Sequence, residues 1–201
     1  AFIGRLTSSY LFTKKYEPKF KYEKKNYFSF PQFIEKMFFN NFGHFTIFIS
    51  LTTFAVAIAS PFFAVYMLKD LNLSYFAFTL ISLASAASTL FFLPLLGKAI
   101  DRYGTVKIMK VSGLFIPLVP ILWIFPEIIP GQLIIAYLIL IEIIAGIIWA
   151  GMNLAAGNFI FDAVTPQKIS LCVAYFNILN AVGALVGATI GGYLSSHQIS
   201  L

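Results

Sequence analysis

Residues 132–161 read QLIIAYLILIEIIAGIIWAGMNLAAGNFIF, and Glu142 is the one charged side chain in this run. The hydrocarbon core of a bilayer is about 30 Å thick, so a spanning α-helix needs about 20 mainly apolar residues. A helix also satisfies its own backbone hydrogen bonds, as lipid requires. The run therefore predicts a transmembrane helix with enough length to tilt.

Four further apolar runs accompany it, at 44–68, 75–96, 108–125 and 170–194. Pro61 lies inside the first, and Pro117 and Pro120 interrupt the third. Membrane helices tolerate such prolines because neighbouring groups re-satisfy the freed carbonyls. An outer-membrane barrel would instead show alternating segments of about 10 residues. We therefore predict an all-α, polytopic membrane helical bundle with five transmembrane helices.

The composition supports lipid as the solvent of this chain. Hydrophobic residues make up 59% and charged residues 11%, and the mean hydropathy is +0.85, whereas soluble domains carry about 25% charged residues. The net charge of +6 is concentrated before residue 37 and in one short loop, which is typical of membrane insertion. We expect a lipid bilayer as partner and no nucleic acid.

The sequence predicts neither a metal site nor a cofactor. Cys172 is the single cysteine and lies in an apolar run, where we interpret it as a packing residue. His44 and His197 are far apart in the chain. No nucleophile–histidine–acid set is recognisable, so we do not expect an enzyme.

The placement of lysine and arginine predicts the orientation. If residues 1–43 are inside, the loops alternate, and all 14 Lys and Arg except Lys69 lie inside. Cytoplasmic loops carry the excess of positive residues in membrane proteins. We therefore expect residues 1–42 to be cytoplasmic, and the membrane to be a prokaryotic plasma membrane.

The chain divides into three parts: 1–42, the membrane domain 43–195, and an outer tail at 196–201. The first part is rich in lysine that alternates with Tyr and Phe, at Lys14, Lys15, Lys19, Lys21, Lys24 and Lys25. Near its end, apolar residues fall on one helical face: Phe30, Phe33, Ile34, Met37 and Phe38. They favour either a short amphipathic helix on the membrane surface or a solvated linker.

The loop after the second span reads GKAIDRYGTVK, residues 97–107. Gly97 suits a close helix approach, Gly104 suits a tight turn, and Asp101 suits a helix N-terminus. The pattern resembles the G-x-x-x-D-R-x-G-[RK]-[RK] signature of the major facilitator superfamily, which joins the second and third helices of each six-helix half. Thr105 and Val106 depart from it, and Lys107 restores one charge.

The resemblance extends over roughly residues 27–195. Residues 61–71, PFFAVYMLKDL, resemble the outer end of the seventh helix in bacterial and archaeal facilitators, and AGMNLAAGNF, 150–159, resembles the tenth. It implies the second half of a twelve-helix protein, with 1–42 as central loop and an N-terminal half preceding it. The alternative is a first half with helices one to five.

The resemblance implies that the first and fourth spans line a central cavity. Glu142, Gly146, Ala150, Asn153 and Gly157 share one helical face by their spacing. A carboxylate inside a membrane is costly, so Glu142 is a candidate substrate or proton site. It could equally lie near the outer surface or bond a neighbouring helix.

Other polar positions have two interpretations each. Asn177 and Asn180 suit either substrate contacts or interhelical hydrogen bonds. The Gly183, Gly187 and Gly191 ridge predicts close helix packing, and in a sharper version an interface that slides during transport. The resemblance suggests a charge network between Asp162 and Arg102, whereas a solvated helix end is the alternative.

The function predicted is a secondary active transporter of a small solute by alternating access, with proton coupling through Glu142 as a further hypothesis. The alternatives are a non-transporting receptor or scaffold on the same fold, and an intramembrane enzyme. An enzyme would need a polar catalytic pair at one depth. Glu142 qualifies as one member of such a pair, and no second member is evident. Fold alone does not choose a substrate.

Overall fold

A computed structural model of the protein describes residues 2–14 and 27–198. Every regular element among these residues is helical. The helices are α1 Phe2–Thr13, α2 Phe30–Met37, α3 Asn41–Val65, α4 Tyr75–Tyr103, α5 Thr105–Phe115, α6 Leu118–Leu122, α7 Ile134–Ala163 and α8 Ile169–Gln198. A π-helical segment, Tyr66–Asp70, extends α3, and a 3-10 turn, Phe125–Ile128, follows α6.

Five helical stretches in the described part of the chain are long and apolar enough to cross a membrane. They are Asn41–Asp70, Tyr75–Tyr103, Thr105–Leu122, Ile134–Ala163 and Ile169–Ser196. Each contains most or all of one predicted apolar run, and the predicted number of spans is confirmed. The interruption predicted in the third span is present, because α5 ends before Pro117 and α6 begins after it.

Local signals account for the helix ends. The side chain of Asn40 accepts a hydrogen bond from the Gly43 amide at the start of α3, and the Ser74 hydroxyl accepts from the Ala77 amide, 3.2 Å, at the start of α4. Such caps satisfy amides that have no partner inside the helix. Asn72, in the short connection between them, has a positive φ of 48°.

The bundle contains two extensive helix pairs. α3 packs along α8, α4 packs along α7, and α5 packs on α7, whereas α3 and α7 touch only briefly. The predicted glycine ridge faces α3: a Cβ at Gly183 would lie 2.9 Å from the Ser50 carbonyl oxygen, and one at Gly187 would lie 2.9 Å from the Ala57 Cβ. Close packing is therefore observed along this ridge.

The outward faces of the bundle are apolar. Large side chains with most of their surface exposed include Leu90, Phe91 and Leu185. A monomer in water rarely exposes so many large apolar groups together. In a bilayer these faces contact lipid tails, which are as apolar as the side chains themselves.

The amphipathic segment before the first span packs against α3 and α8. In α2, Phe33 and Met37 are buried, and Phe38 remains exposed. The Tyr175 hydroxyl of α8 donates a hydrogen bond of 2.8 Å to the Phe28 carbonyl. The predicted short helix is therefore present as α2, and aromatic partners on α8 and at the start of α3 cover part of its apolar face.

The lysine-rich stretch and the C-terminal end both extend beyond the described residues. The lysines at 15, 19, 21, 24 and 25 lie outside the described residues. The polar end of the chain, predicted as an outer tail from 196, continues α8 as helix through Gln198, and residues 199–201 lie outside the described part.

Candidate substrate cavity

A cavity of about 360 Å³ opens between α3, α7 and α8. Its polar lining residues are Thr52, Thr53, Asn153, Asn177 and Asn180, and its other walls are Ile49, Trp149, Met152, Ala156, Gly157, Ile160 and Phe176. Thr53 and Asn153 lie well inside α3 and α7, and Asn180 is likewise interior to α8. The cavity therefore lies deep within the spans and not at their ends.

Three larger cavities lie elsewhere in the described bundle. One of about 540 Å³ lies at the Gly104 turn, beside Lys107 and Asp162. One of about 550 Å³ is at the C-terminal end of α3, beside Lys69 and Asp70. Another of about 680 Å³ lies between α3 and α5, at the end of the bundle that carries Lys110, and is lined mainly by Phe45, Phe48 and other apolar groups. None of the three is lined by the asparagines that the sequence placed inside the spans, so the smaller cavity is the best candidate for a solute site.

Asn180 makes an interhelical hydrogen bond, which is one of the two roles that the sequence suggested for it. The Thr53 hydroxyl of α3 donates to the Asn180 Oδ1, 3.2 Å away. The Asn180 Nδ2 in turn donates to the Phe176 carbonyl at 3.0 Å. This chain joins α3 to α8 at the cavity wall and leaves one N–H of the Asn180 amide available.

Asn153 and Asn177 are free for other partners. Both side chains are exposed and line the cavity, and neither makes a hydrogen bond within the described residues. A side-chain amide carries two N–H donors and a carbonyl with two lone pairs. These two residues therefore present complete hydrogen-bonding groups to whatever occupies the cavity.

Glu142 does not line this cavity. Its carboxyl group faces the Ser85 hydroxyl of α4. The same seam contains the Thr89 hydroxyl, which donates to the Gly146 carbonyl at 3.1 Å, and Gly146 itself lies against Ser85 and Ser88. Glu142 is thus a seam residue between α4 and α7, and the structure separates it from the asparagines.

The predicted polar face of α7 is therefore divided between two surroundings. Gly146 and Ala150 are buried, whereas Asn153 and Gly157 are exposed to the cavity. These positions share a helical face, but α4 covers its first half and leaves the second half open. Spacing along one helix cannot reveal which neighbouring helix covers each part of a face.

The segment between α4 and α5 is a single-residue turn and not a loop. α4 continues to Tyr103 and α5 starts at Thr105. Gly104 between them has a φ of 88°, a conformation that glycine adopts without the steric cost of a side chain. The predicted tight turn at Gly104 is therefore present, although the predicted loop 97–110 is almost entirely helical.

Asp162 pairs with a residue that was not expected. The Thr105 hydroxyl at the start of α5 donates to the Asp162 Oδ2 at the end of α7, 3.1 Å away. Arg102 instead places its guanidinium 5.3 Å from the centre of the Tyr103 ring. Thr105, which stands where the family signature has a basic residue, is thus the observed side-chain partner of Asp162.

The remaining residues of the signature make few contacts with the rest of the described bundle. Lys107 places its ammonium 5.2 Å from the Tyr103 ring centre, within the range of a cation–π interaction. Asp101 is exposed. No atom lies within 4 Å of a Cβ built on Gly97, so the close helix approach expected there is not made by the described residues.

Thr52, Thr53 and Trp149 also line the cavity and were not predicted from the sequence. The signal for the threonines was weak, because a hydroxyl in a membrane helix can bond its own backbone, as Thr52 does to the Phe48 carbonyl at 2.8 Å. Among the described residues, no group of three His, Cys, Asp or Glu side chains could hold a metal ion.

Five apolar helices that are long enough to span a membrane define a polytopic integral membrane protein, and a cavity lined in part by polar side chains lies between them. A family model of the Major Facilitator Superfamily matches residues 45–200. The chain belongs to this superfamily, and its fold is a partial major facilitator helical bundle. No curated protein and no solved structure shows significant similarity to it.

Proposed function

We propose that the protein is a secondary active transporter that moves a small solute by alternating access, with the cavity between α3, α7 and α8 as this chain's share of the solute site. Superfamily membership supports a membrane transporter. Transporters of this kind hold the solute near the middle of the membrane and rock two bundles about it. The six-helix N-terminal half proposed to precede residues 1–42 supplies the opposite wall.

The observation that carries the proposal is the set of unpaired amides deep inside apolar helices. Asn153 and Asn177 have no partner within the described residues and line the same cavity. Polar groups inside a membrane are costly and therefore mark substrate pathways in many membrane proteins. A role in helix packing would not explain why the side-chain amides of Asn153 and Asn177 have no hydrogen-bond partner within the described residues.

Exchange flux tests the proposal. The full-length protein is reconstituted into vesicles, and uptake of a labelled solute panel is measured with and without the same unlabelled solute inside. Alternating access predicts saturable uptake that internal solute accelerates, because the loaded carrier returns through its bound form. Non-saturable uptake would indicate a channel, and binding without any flux would favour the receptor alternative.

We also propose that Glu142 couples transport to protons. In the seam with Ser85, a protonated carboxyl can donate a hydrogen bond, whereas burying the ionised carboxylate away from water is costly. Glu142→Gln mimics the protonated form. Net uptake driven by a pH gradient should fall at least tenfold, while solute exchange persists, because exchange does not require the proton to leave.

Glu127→Gln is the matched control for this measurement, because Glu127 is an exposed carboxylate near the outer end. It should leave the response to the pH gradient unchanged. Equal gradient dependence in the wild type and in Glu142→Gln would remove the proton role from Glu142.

We further propose that the turn at Gly104 is part of a gating loop on the cytoplasmic side. The residues involved are Gly97, Asp101, Arg102, Gly104, Lys107 and Asp162. The Thr105–Asp162 hydrogen bond joins the start of α5 to the end of α7, which would let the turn respond to movements of either helix. The positive residues beside it suit the cytoplasmic surface of a prokaryotic plasma membrane.

A further inference from the structure

The walls that this chain gives to the cavity contain no charged side chain. The nearest carboxylate on α7, Glu142, lies eleven positions before Asn153 and faces α4, roughly 16 Å away along the helix axis. A charged solute in a poorly hydrated site is costly unless an opposite charge accompanies it. On this side of the site, no such counter-charge is available.

The polar groups of the cavity are both donors and acceptors. Thr52 and Thr53 have committed their hydroxyl protons to the Phe48 carbonyl and to Asn180, so their oxygens remain as acceptors. Asn153 and Asn177 offer donors and acceptors side by side. A solute hydroxyl also donates and accepts, and therefore matches this wall better than a group that only donates or only accepts.

Trp149 adds a flat apolar surface beside these amides. Its side chain is half-buried and lines the cavity. Asn153 follows it by four positions, so the two side chains are neighbours on one face of α7. An indole ring can pack against an apolar face of a solute while the adjacent amide bonds the hydroxyls at its edge.

We infer that the solute is uncharged and carries several hydroxyl groups around a compact apolar face, as a monosaccharide or cyclic polyol does. The inference rests on the proposed function, because it takes the cavity as the solute site. A volume of about 360 Å³ lies at the small end of the range for ligand pockets. The part of the site that this chain forms is thus large enough for a single sugar ring.

Equilibrium binding to the full-length protein tests the inference without requiring transport. The probes are three matched sets of sugars: glucose, galactose and mannose, each with its 2-amino analogue and its uronate. The members of a set share a ring and differ in charge. At least one neutral sugar should stabilise the purified protein against heat, with an affinity at least tenfold above those of its cationic and anionic analogues.

Side-chain changes locate the site of binding. Asn153→Leu and Asn177→Leu keep the side-chain size and remove the amide, and each should weaken binding of that neutral sugar at least tenfold. Asn158→Leu is the control, because Asn158 is exposed on the same helix and does not line the cavity. It should bind as the wild type does.

A second kind of variant, which is expected to gain an affinity, keeps the test valid if a leucine variant does not fold. Asn153→Asp places a carboxylate in the cavity and should shift preference toward the 2-amino sugar by at least tenfold. The inference is overturned if a charged analogue binds the wild type as tightly as the neutral sugar, if all nine probes fail to bind, or if the folded Asn153 variants bind as the wild type does.

The outcomes also separate this inference from the proposed function. A neutral sugar that binds through Asn153 but shows no flux in vesicles would uphold the solute class and refute transport. Saturable exchange of a charged solute would uphold transport and refute the solute class.

Discussion

At the scale of single residues, glycine decides how closely α3 and α8 approach. Gly187 is buried, and a Cβ there would overlap the Phe54 carbonyl oxygen, which belongs to the backbone and cannot rotate away. Gly192 lies on the same helix with nothing within 4 Å of its Cβ position. Gly187 is therefore required for close helix packing, whereas Gly192 is not, although both are glycines of the same helix.

Gly187→Ala should lower the thermal stability of the detergent-solubilised protein, because overpacking costs roughly 1–3 kcal/mol. Gly192→Ala should preserve or raise it, because alanine is favoured over glycine inside a helix by up to about 1 kcal/mol. Thermal unfolding measured on both variants checks this. Equal shifts of the two melting temperatures would contradict the tight α3–α8 contact.

At the scale of elements, α2 packs as a strap across the N-terminal ends of α3 and α8. The ring of Phe33 contacts the rings of Phe42 and Tyr175, with centres 6.2 and 5.4 Å apart. The Tyr175 hydroxyl fixes the chain just before α2 by its bond to the Phe28 carbonyl. One tyrosine therefore contributes both an apolar contact and a hydrogen bond to the attachment.

Tyr175→Phe keeps the ring and removes the hydrogen bond, so the strap should loosen by about 1 kcal/mol. Limited proteolysis within residues 27–40 should become several times faster. Tyr75→Phe, at an exposed tyrosine far from α2, should digest at the wild-type rate. An unchanged rate in Tyr175→Phe would show that the aromatic contacts alone hold α2.

At the scale of the whole molecule, the distribution of positive charge predicts which side of the bundle faces the cytoplasm. Lys69 and Lys107 are exposed at opposite ends of the bundle. Cys172 is the only cysteine and is buried, so replacing it by alanine gives a background for single-cysteine labelling. Each lysine can then report its own side of the membrane.

In the Cys172→Ala background, Lys69→Cys should react with a membrane-impermeant maleimide in intact cells. Lys107→Cys should react only after permeabilisation, because positive loops remain in the cytoplasm. Gel-shift labelling measures both. The reverse pattern would invert the proposed topology and move the Gly104 turn to the outside.

Much of the fold was predictable because bilayer thickness sets a length that any sequence can be measured against. The five spans, the break near Pro117 and the turn at Gly104 followed from apolar runs and from the conformations available to proline and glycine. The candidate cavity was predicted less well. Asn153, Asn177 and Asn180 line one cavity, whereas Glu142 lies in another seam, and Thr53 and Trp149 were not predicted.

The sequence by itself determined the solvent, the number of spans and the family, because these depend on local hydrophobicity, charge placement and one signature. Tertiary structure alone decided which face of each helix meets a neighbour, which meets the cavity and what covers α2. The physical reason is that lipid tails and packed helices are equally apolar. In a membrane, hydrophobic patterning therefore marks that a residue is inside without indicating what it faces.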